Sequence, residues 1–229
     1  IASAMSSEAK KAGITRGMPI YQARKLCPEL VVVSSDYETY ALFAKRMYDI
    51  ARRYTPVVEE YSIDECFADI TGMRRSLKMS YEKIAQNIKD ELKAELGVTF
   101  SVGLGPTKTL AKLGSNYNKP NGFAVISGKD AHLFLKDLPI GKIWGIGAQT
   151  SAYLEKMGMK TALAFARKEE AWVKNNLNAP FYDKWLELRG VSIDEVNSNP
   201  DSKQKSISKT QTFTPPSNNK EFLMVRLSK

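Results

Sequence analysis

An acidic pair inside a strand-like stretch constrains the fold of this chain more than any other feature. Residues 59–71 read EEYSIDECFADIT, where apolar and polar residues alternate around Asp64 and Glu65, as they do in β-strands. A tight turn within residues 63–66 would project both carboxylates from one end of a hairpin. Carboxylates this close repel each other unless a cation neutralises them. We therefore predict a cation-binding hairpin at the edge of a core, with an ordinary exposed turn as the alternative.

Composition limits which cation this hairpin can bind. The chain has one histidine, His132, and two cysteines, Cys27 and Cys66, so neither a multi-histidine site nor a disulfide framework is expected. Oxygen ligands favour hard cations, and Mg²⁺ also bridges to phosphates. Two such ions about 3.5–4 Å apart assist phosphoryl transfer. Mg²⁺ is therefore the predicted cofactor.

The charge balance favours a polyanionic partner. Thirty-four Lys and Arg residues face 25 Asp and Glu residues, which gives a net charge of +9 over 229 residues. That excess suits nucleic acid, although many basic proteins bind none. There is no apolar stretch of about 18 residues and no signal-peptide pattern, so we expect no membrane partner. Two cysteines without a disulfide framework suit a reducing cytosol, so we expect a cytoplasmic location. The chain begins at Ile1 and ends soon after a new segment starts, which suggests a fragment.

The order of predicted elements indicates an α+β fold. Residues 57–126 follow the order β-β-α-β-α-β, which predicts a sheet covered by two helices. After residue 127 the pattern is helical, up to a polar linker at 196–206, and the β-like sequence SISKTQTF follows from residue 206. Further predicted elements are helices at 8–12, after Pro19, at 36–54 and at 80–96, and strands at 30–33 (LVVV) and 98–104.

Lysines that follow the strand at 98–104 are candidates for phosphate contacts. Lys108 and Lys112 lie one helical turn apart in GPTKTLAKLGSNYNKPNG, and Lys119 stands in the Pro-Asn-Gly turn at its end. Lys10 comes from the N-terminal segment. Beside a metal-binding hairpin, these ammonium groups suit the outer oxygens of a nucleoside triphosphate. For each of them the alternative is a solvated surface charge.

A glycine-containing turn in the helical region is the second candidate site. Gly145 and Gly147 flank Ile146 between two helical segments of LPIGKIWGIGAQTSAYLEKMGMKT. Glycines permit a tight turn, and the helix that follows presents free backbone N–H groups at its start, which suit a DNA phosphate. The pattern predicts a helix-hairpin-helix, with a plain packing corner as the alternative.

In this order the motifs resemble the Y-family of translesion DNA polymerases, of the bacterial polymerase IV and V branch. YSIDECFADIT is similar to the family's signature palm hairpin, and ASAMSSEAKKAGITRGMP to the opening of its fingers. FSVGLGPTKTLAKLGSNYNKPNGFAVI resembles the next palm strand, helix and turn, IWGIG the thumb, and KSISKTQTF the entry to the little finger. The resemblance implies partial fingers at 1–36, a palm with a ferredoxin-like sheet and two helices at 37–126, a thumb at 127–195, a linker at 196–206 and the start of the little finger at 207–229.

The resemblance also implies a role for each candidate residue. Asp64 would bind both catalytic Mg²⁺ ions, and Glu65 would help to hold the ion that activates the primer 3′-hydroxyl. The remaining assignments are nucleotide binding for Lys10, Lys112 and Lys119, and DNA binding for Gly145, Gly147 and Lys108. Ser7 and Lys10 stand where the family has a tyrosine and then an arginine or lysine, so Lys10 supplies charge without a bidentate fork.

The implied function is DNA-directed DNA synthesis that tolerates damaged templates. Its partners would be primer-template DNA, a deoxynucleoside triphosphate and, through residues C-terminal to these, a sliding clamp. The family's first metal-binding aspartate and its steric gate precede the fingers and are expected to be absent from this fragment, so we predict that the fragment alone is inactive. Two alternatives stay open: a nucleotidyl cyclase with a palm-like sheet, and a non-catalytic DNA-binding module.

Overall fold

Helices outnumber strands in the part of the chain that a computed structural model describes, which is residues 1–199, 206, 208 and 215–227. The helices are α1 Ser7–Lys11, α2 Ile20–Leu26, α3 Tyr37–Arg52, α4 Met73–Leu77, α5 Tyr81–Leu96, α6 Lys108–Tyr117, α7 Ala131–Leu135, α8 Ala148–Lys156, α9 Ala162–Ala166, α10 Glu170–Asn176, α11 Ala179–Leu188 and α12 Lys220–Leu227. The strands are β1 Val58–Ser62, β2 Glu65–Ala68, β3 Val102–Leu104 and β4 Phe123–Val125. The predicted α+β class is confirmed. No helix within the described residues is long and apolar enough to cross a membrane.

Side-chain caps explain where several helices begin. The Asp36 carboxylate accepts a hydrogen bond from the backbone N–H of Thr39 at the start of α3. The Ser80 hydroxyl accepts one from the backbone N–H of Lys83 at the start of α5. Such caps satisfy backbone donors that have no partner inside the helix. Gly97 ends α5 in the left-handed conformation, which glycine adopts at little cost. Both long helices therefore lie where the apolar periodicity predicts them.

The predicted strand at residues 30–33 is wrong. No strand forms there, and Val31 and Val33 are 83% and 82% exposed. A strand needs a neighbouring strand for its backbone hydrogen bonds. Neither of the two strand pairs in the described part of the chain includes this segment. An apolar run is therefore not sufficient here to form a strand.

The four strands form two separate pairs in the described residues, where one sheet was expected. β1 and β2 form an antiparallel hairpin, while β3 and β4 run parallel with α6 as their connection. β3 is shorter than the predicted strand at 98–104, and Val98 before it is exposed. Helix α6 packs against both β3 and β4, so it lies at the centre of this region.

Two apolar clusters hold the helices around the acidic hairpin. Helices α3 and α5 pack together through Met47, Ile50 and Leu92, with Cys66 of β2 against them. The largest cluster joins Leu110 of α6 to helices α7–α11, and its fully buried members include Leu154 and Phe165. Helix α6 therefore belongs to the same core as the helical region that follows residue 127.

The C-terminal predictions are only partly covered by the structure. Residues 196–199 of the predicted linker have no regular structure, and residues 200–205 lie outside the described residues, so the linker stays a prediction. Most of the β-like segment at 206–213 lies outside the described residues, and so do residues 207, 209–214 and 228–229 of the predicted little-finger segment. The described remainder of that segment includes α12.

Candidate active site

The acidic pair lies at the tip of the β1–β2 hairpin. Ser62 pairs with Glu65 across the strands, which leaves Ile63 and Asp64 as the two-residue turn. The Asp64 side chain is exposed, and it accepts a hydrogen bond of 2.9 Å from the Ser62 hydroxyl. Glu65 begins β2 and is half-buried. Both carboxylates therefore project from one hairpin end, as the sequence predicts.

Lys112 pairs with Glu65 across the gap between α6 and the hairpin. The Lys112 ammonium donates a hydrogen bond to the Glu65 carboxylate, and its side chain is only 15% exposed. The Thr107 hydroxyl caps α6 by accepting from the N–H of Leu110. This cap fixes the start of the helix, and the lysine follows on the face that meets the hairpin. The structure thus places one predicted phosphate ligand directly beside one predicted metal ligand.

The donor set at the hairpin suits a hard cation. Asp64 and Glu65 offer carboxylate oxygens, the ligands that Mg²⁺ prefers. The described residues contain no group of three or more His, Cys, Asp or Glu side chains that could hold a metal ion. These two acids would therefore supply part of a Mg²⁺ coordination shell, and Glu65 would exchange its lysine partner for the ion.

Lys108 lies inside the protein, which corrects its predicted role as a DNA contact. Its side chain is 5% exposed, and its ammonium lies 2.6 Å from Glu59 of β1 and 2.9 Å from Asp194. Burial disfavours the charge on Lys108, but hydrogen bonds to these two carboxylates outweigh that cost and raise its pKa. The structure gives Lys108 an internal ion pair instead of a surface contact.

Lys10 and Lys119 are both exposed but lie on separate elements. Lys10 is in α1, and Lys119 follows α6 in the loop that leads to β4. Within the described residues, no hydrogen bond or ion pair joins either lysine to the acidic hairpin. Their predicted contacts with a nucleotide therefore stay predictions.

The glycine-containing turn has the geometry of an anion site. Gly145 has a φ of +91°, a conformation that suits glycine. Gly147 is the N-cap of α8, and no side chain caps this helix, so the first N–H groups of α8 are not bonded to a capping side chain. Ile146 between the glycines is buried and holds the turn against the core. Free N–H groups at a helix start attract phosphate, and the contact of Gly145 and Gly147 with DNA stays a prediction.

Two contacts near the site were not predicted from the sequence. Trp144 packs against Tyr61 and Phe67 of the acidic hairpin. Glu187 of α11 is completely buried and accepts a hydrogen bond from the Thr109 hydroxyl of α6. The only sequence signal for the first was a tryptophan next to the glycine turn. For the second there was none, because 78 residues separate the partners.

The fold is that of the Y-family DNA polymerases. It combines an acidic hairpin, a lysine-bearing helix packed against that hairpin, and a later helical region with a glycine turn. The chain belongs to the impB/mucB/samB family, whose sequence profile matches residues 1–116. The profile of the helix-hairpin-helix motif of this family matches residues 129–159. The resemblance seen in the sequence and the predicted helix-hairpin-helix are both confirmed.

Curated relatives are similar to most of the chain. A DNA polymerase IV of Listeria monocytogenes serotype 4a (strain HCC23) is 32% identical over 213 residues, which cover 93% of this chain and 59% of the relative. A DNA polymerase IV of Dehalococcoides mccartyi (strain CBDB1) is 31% identical over 228 residues, which cover 100% of this chain and 58% of the relative. The chain thus spans less than two thirds of the length of these relatives.

Solved structures share the fold. An insertion ternary complex of Dbh DNA polymerase superposes with a TM-score of 0.70 at 27% identity, over 80% of this chain and 54% of that one. DinB from Sulfolobus solfataricus gives a TM-score of 0.67 at 28% identity, over 80% of this chain and 53% of that one. The arrangement of helices and strands is therefore that of known Y-family polymerases.

Proposed function

We propose that these residues belong to a DNA-directed DNA polymerase of the translesion type, which adds nucleotides to a primer 3′ end. The observation that carries the proposal is the hairpin with Asp64 and Glu65 against Lys112, within a chain whose relatives are named DNA polymerase IV. Its substrates would be primer-template DNA and a deoxynucleoside triphosphate. The full-length gene product would act in the cytoplasm, with a sliding clamp as a further partner.

Each candidate residue has a distinct task in this proposal. Asp64 and Glu65 would hold Mg²⁺, which when bound neutralises charge on the reacting phosphates. Lys112 keeps the Glu65 charge compensated before substrate binds and can then turn to a nucleotide phosphate, because its four-carbon stem is flexible. Lys119 and Lys10 would hold the outer triphosphate oxygens.

The helical region would position the primer strand. The N–H groups at the start of α8, next to Gly145 and Gly147, would bind a backbone phosphate without reading the base. A lesion in the template does not alter the primer phosphates, so this contact is compatible with damaged DNA. Electrostatic contacts of this kind weaken as salt concentration rises.

The test compares two acids of the same hairpin in the full-length gene product. Asp64→Ala is expected to lower the rate of single-nucleotide incorporation at least about 100-fold, since a metal contributes several kcal/mol. Glu60→Gln is the matched control, because Glu60 lies on β1 and pairs with Arg52 at the surface, and it should change the rate less than about threefold.

Three results would contradict this proposal. Incorporation that survives Asp64→Ala would mean that the hairpin acids do not take part in the chemistry. Salt-dependent binding to primer-template DNA without any incorporation would favour a non-catalytic DNA-binding module. A nucleoside triphosphate that is cyclised by a protein with no affinity for DNA would favour the cyclase alternative.

A further inference from the structure

An aromatic contact joins the glycine turn to the acidic hairpin. Trp144 directly precedes Gly145, and its ring centroid lies 5.4 Å from that of Tyr61 and 5.5 Å from that of Phe67. Tyr61 is in β1 and Phe67 in β2, and their own rings lie 5.5 Å apart in an edge-to-face arrangement. The three rings form one aromatic cluster, in which Trp144 packs against the two strands that carry Asp64 at their tip.

A lysine of α11 fixes Trp144 from the helical region. The Lys184 ammonium lies 4.2 Å from the centre of the Trp144 ring, within the range of a cation–π interaction. The same ammonium lies 3.3 Å from the Thr109 hydroxyl of α6 and 3.3 Å from the buried Glu187 carboxylate. Because the Glu187 charge is fully buried, it needs these partners. Lys184 therefore cannot move far from the tryptophan.

These contacts form a closed loop that links the acidic hairpin, Trp144, Lys184 and α6. The acidic hairpin touches Trp144, Trp144 touches Lys184, and Lys184 is bonded to α6, which returns to Glu65 through Lys112. A closed loop of contacts restricts the relative motion of the linked elements more than any single contact does. The acidic pair lies on one of these elements, the hairpin, and the glycine turn directly follows another, Trp144.

We propose that Trp144 is a positioning residue, which holds the glycine turn at a fixed distance from Asp64 and Glu65. A primer phosphate bound at the turn would then place the primer 3′ end at the acids. The inference rests on the proposed polymerase function. An error of about 1 Å in placing a reacting group can lower a rate about 100-fold, so a loose turn would slow the reaction even with DNA bound.

The test separates DNA binding from the rate of the bound complex. In the full-length gene product, Trp144→Ala is expected to lower the maximal single-turnover incorporation rate about 10- to 100-fold at saturating primer-template. The Kd for DNA, measured by fluorescence anisotropy, should change less than about threefold, because the phosphate contacts are backbone N–H groups. Trp144→Phe keeps an aromatic ring and should restore the rate to within about threefold of the wild type.

Trp172→Ala is the matched control for the loss of a tryptophan. Trp172 lies in α10, packs on the core and stacks with Lys168, with no ring contact to the hairpin, so its variant should keep the wild-type rate. Equal rates for Trp144→Ala and Trp172→Ala would overturn the inference. A Trp144→Ala defect that disappears at higher DNA concentration would also overturn it, because the residue would then serve affinity alone.

Tyr61→Ala tests the same contact where Trp144→Ala fails to fold. Tyr61 is 44% exposed, so its loss removes one ring partner with little loss of core packing. The incorporation rate should fall in the same direction at saturating DNA, and an unchanged rate would overturn the inference.

Amide hydrogen exchange in the full-length gene product gives an answer that does not depend on activity. Trp144→Ala should speed exchange in residues 58–68 and 144–154, whereas Trp172→Ala should not. Absence of incorporation by the wild type would overturn the proposed function but leave this measurement valid. Unchanged exchange in both segments would overturn the positioning role even if the wild type is an active polymerase.

Discussion

Neighbouring side chains of β2 face opposite layers of the protein. Glu65 points to α6, where Lys112 binds it, while Cys66 packs against the cluster of α3 and α5. This alternation is the ordinary period of a strand. Burial raises the pKa of the Cys66 thiol to about 11. The hairpin thus presents a charged group on one face and a neutral thiol on the other.

The raised pKa predicts a pH-dependent stability between pH 9 and pH 11. The unfolded thiol ionises near its ordinary pKa of 9.0, while the folded thiol stays protonated, so the contribution of Cys66 is complete below pH 9 and is lost as pH rises. Between pH 8 and pH 10 the wild type should lose about 1 kcal/mol more unfolding free energy than Cys66→Ala. Urea unfolding at both pH values measures the difference, and equal losses would exclude burial as the cause.

The two glycines of the glycine turn have different backbone conformations. Gly145 has a positive φ, and a Cβ atom there would lie 3.4 Å from the Lys184 side chain. Gly147 has a φ of −80°, and a Cβ atom there would meet nothing within 4 Å. Only the first position requires glycine for its backbone conformation.

Alanine substitutions should separate these two roles. Gly145→Ala is expected to lower the free energy of unfolding by about 1–2 kcal/mol, because an L-residue in the left-handed region is strained. Gly147→Ala should change it by less than about 0.5 kcal/mol, because the gain in backbone rigidity offsets a poorer cap. Thermal or urea unfolding of the two variants provides the comparison. If Gly147→Ala proved the more harmful of the two, the turn would not have this backbone conformation.

At the scale of the whole molecule, one buried ion pair connects distant parts of the chain. Lys108 of α6 joins Glu59 of β1 to Asp194, which follows α11. The backbone N–H of Asn197 also donates to Glu59, at 2.7 Å. The segment after the last helix of the core is thereby bonded back to the hairpin strand.

Replacing Lys108 and replacing Lys112, the two lysines of α6, should therefore lower the stability by different amounts. Lys108→Met leaves the Glu59 carboxylate, whose side chain is 17% exposed, without its cation, and we expect a loss of about 2 kcal/mol in unfolding free energy. Lys112→Met should cost less than about 1 kcal/mol, because the Glu65 side chain is 33% exposed and can be hydrated. Urea unfolding of both variants tests the difference. Equal costs would mean that burial does not set the strength of these pairs.

The sequence alone determined the features that depend on local patterns. The apolar period predicted α3 at 36–54 and α5 at 80–96, close to the observed Tyr37–Arg52 and Tyr81–Leu96. Alternation around the acidic pair predicted the hairpin, and the two glycines predicted the turn before α8. These features form because neighbouring residues share one face of a helix, cap its end or fit a turn, and such interactions can be identified in a short stretch of sequence.

Only the tertiary structure decided which residues are buried and which become partners. Tyr40 and Phe43 fit the apolar face of α3 but remain exposed, while the glycine at 103 meets α6 so closely that a Cβ atom would lie 2.0 Å from the Ala111 carbonyl oxygen. Lys108 and Lys112 lie one turn apart on the same helix, so the sequence does not distinguish them. In the structure Lys108 forms an internal ion pair, whereas Lys112 faces the site. The reason is physical: burial and pairing depend on elements brought together from far along the chain, and no local pattern records that proximity.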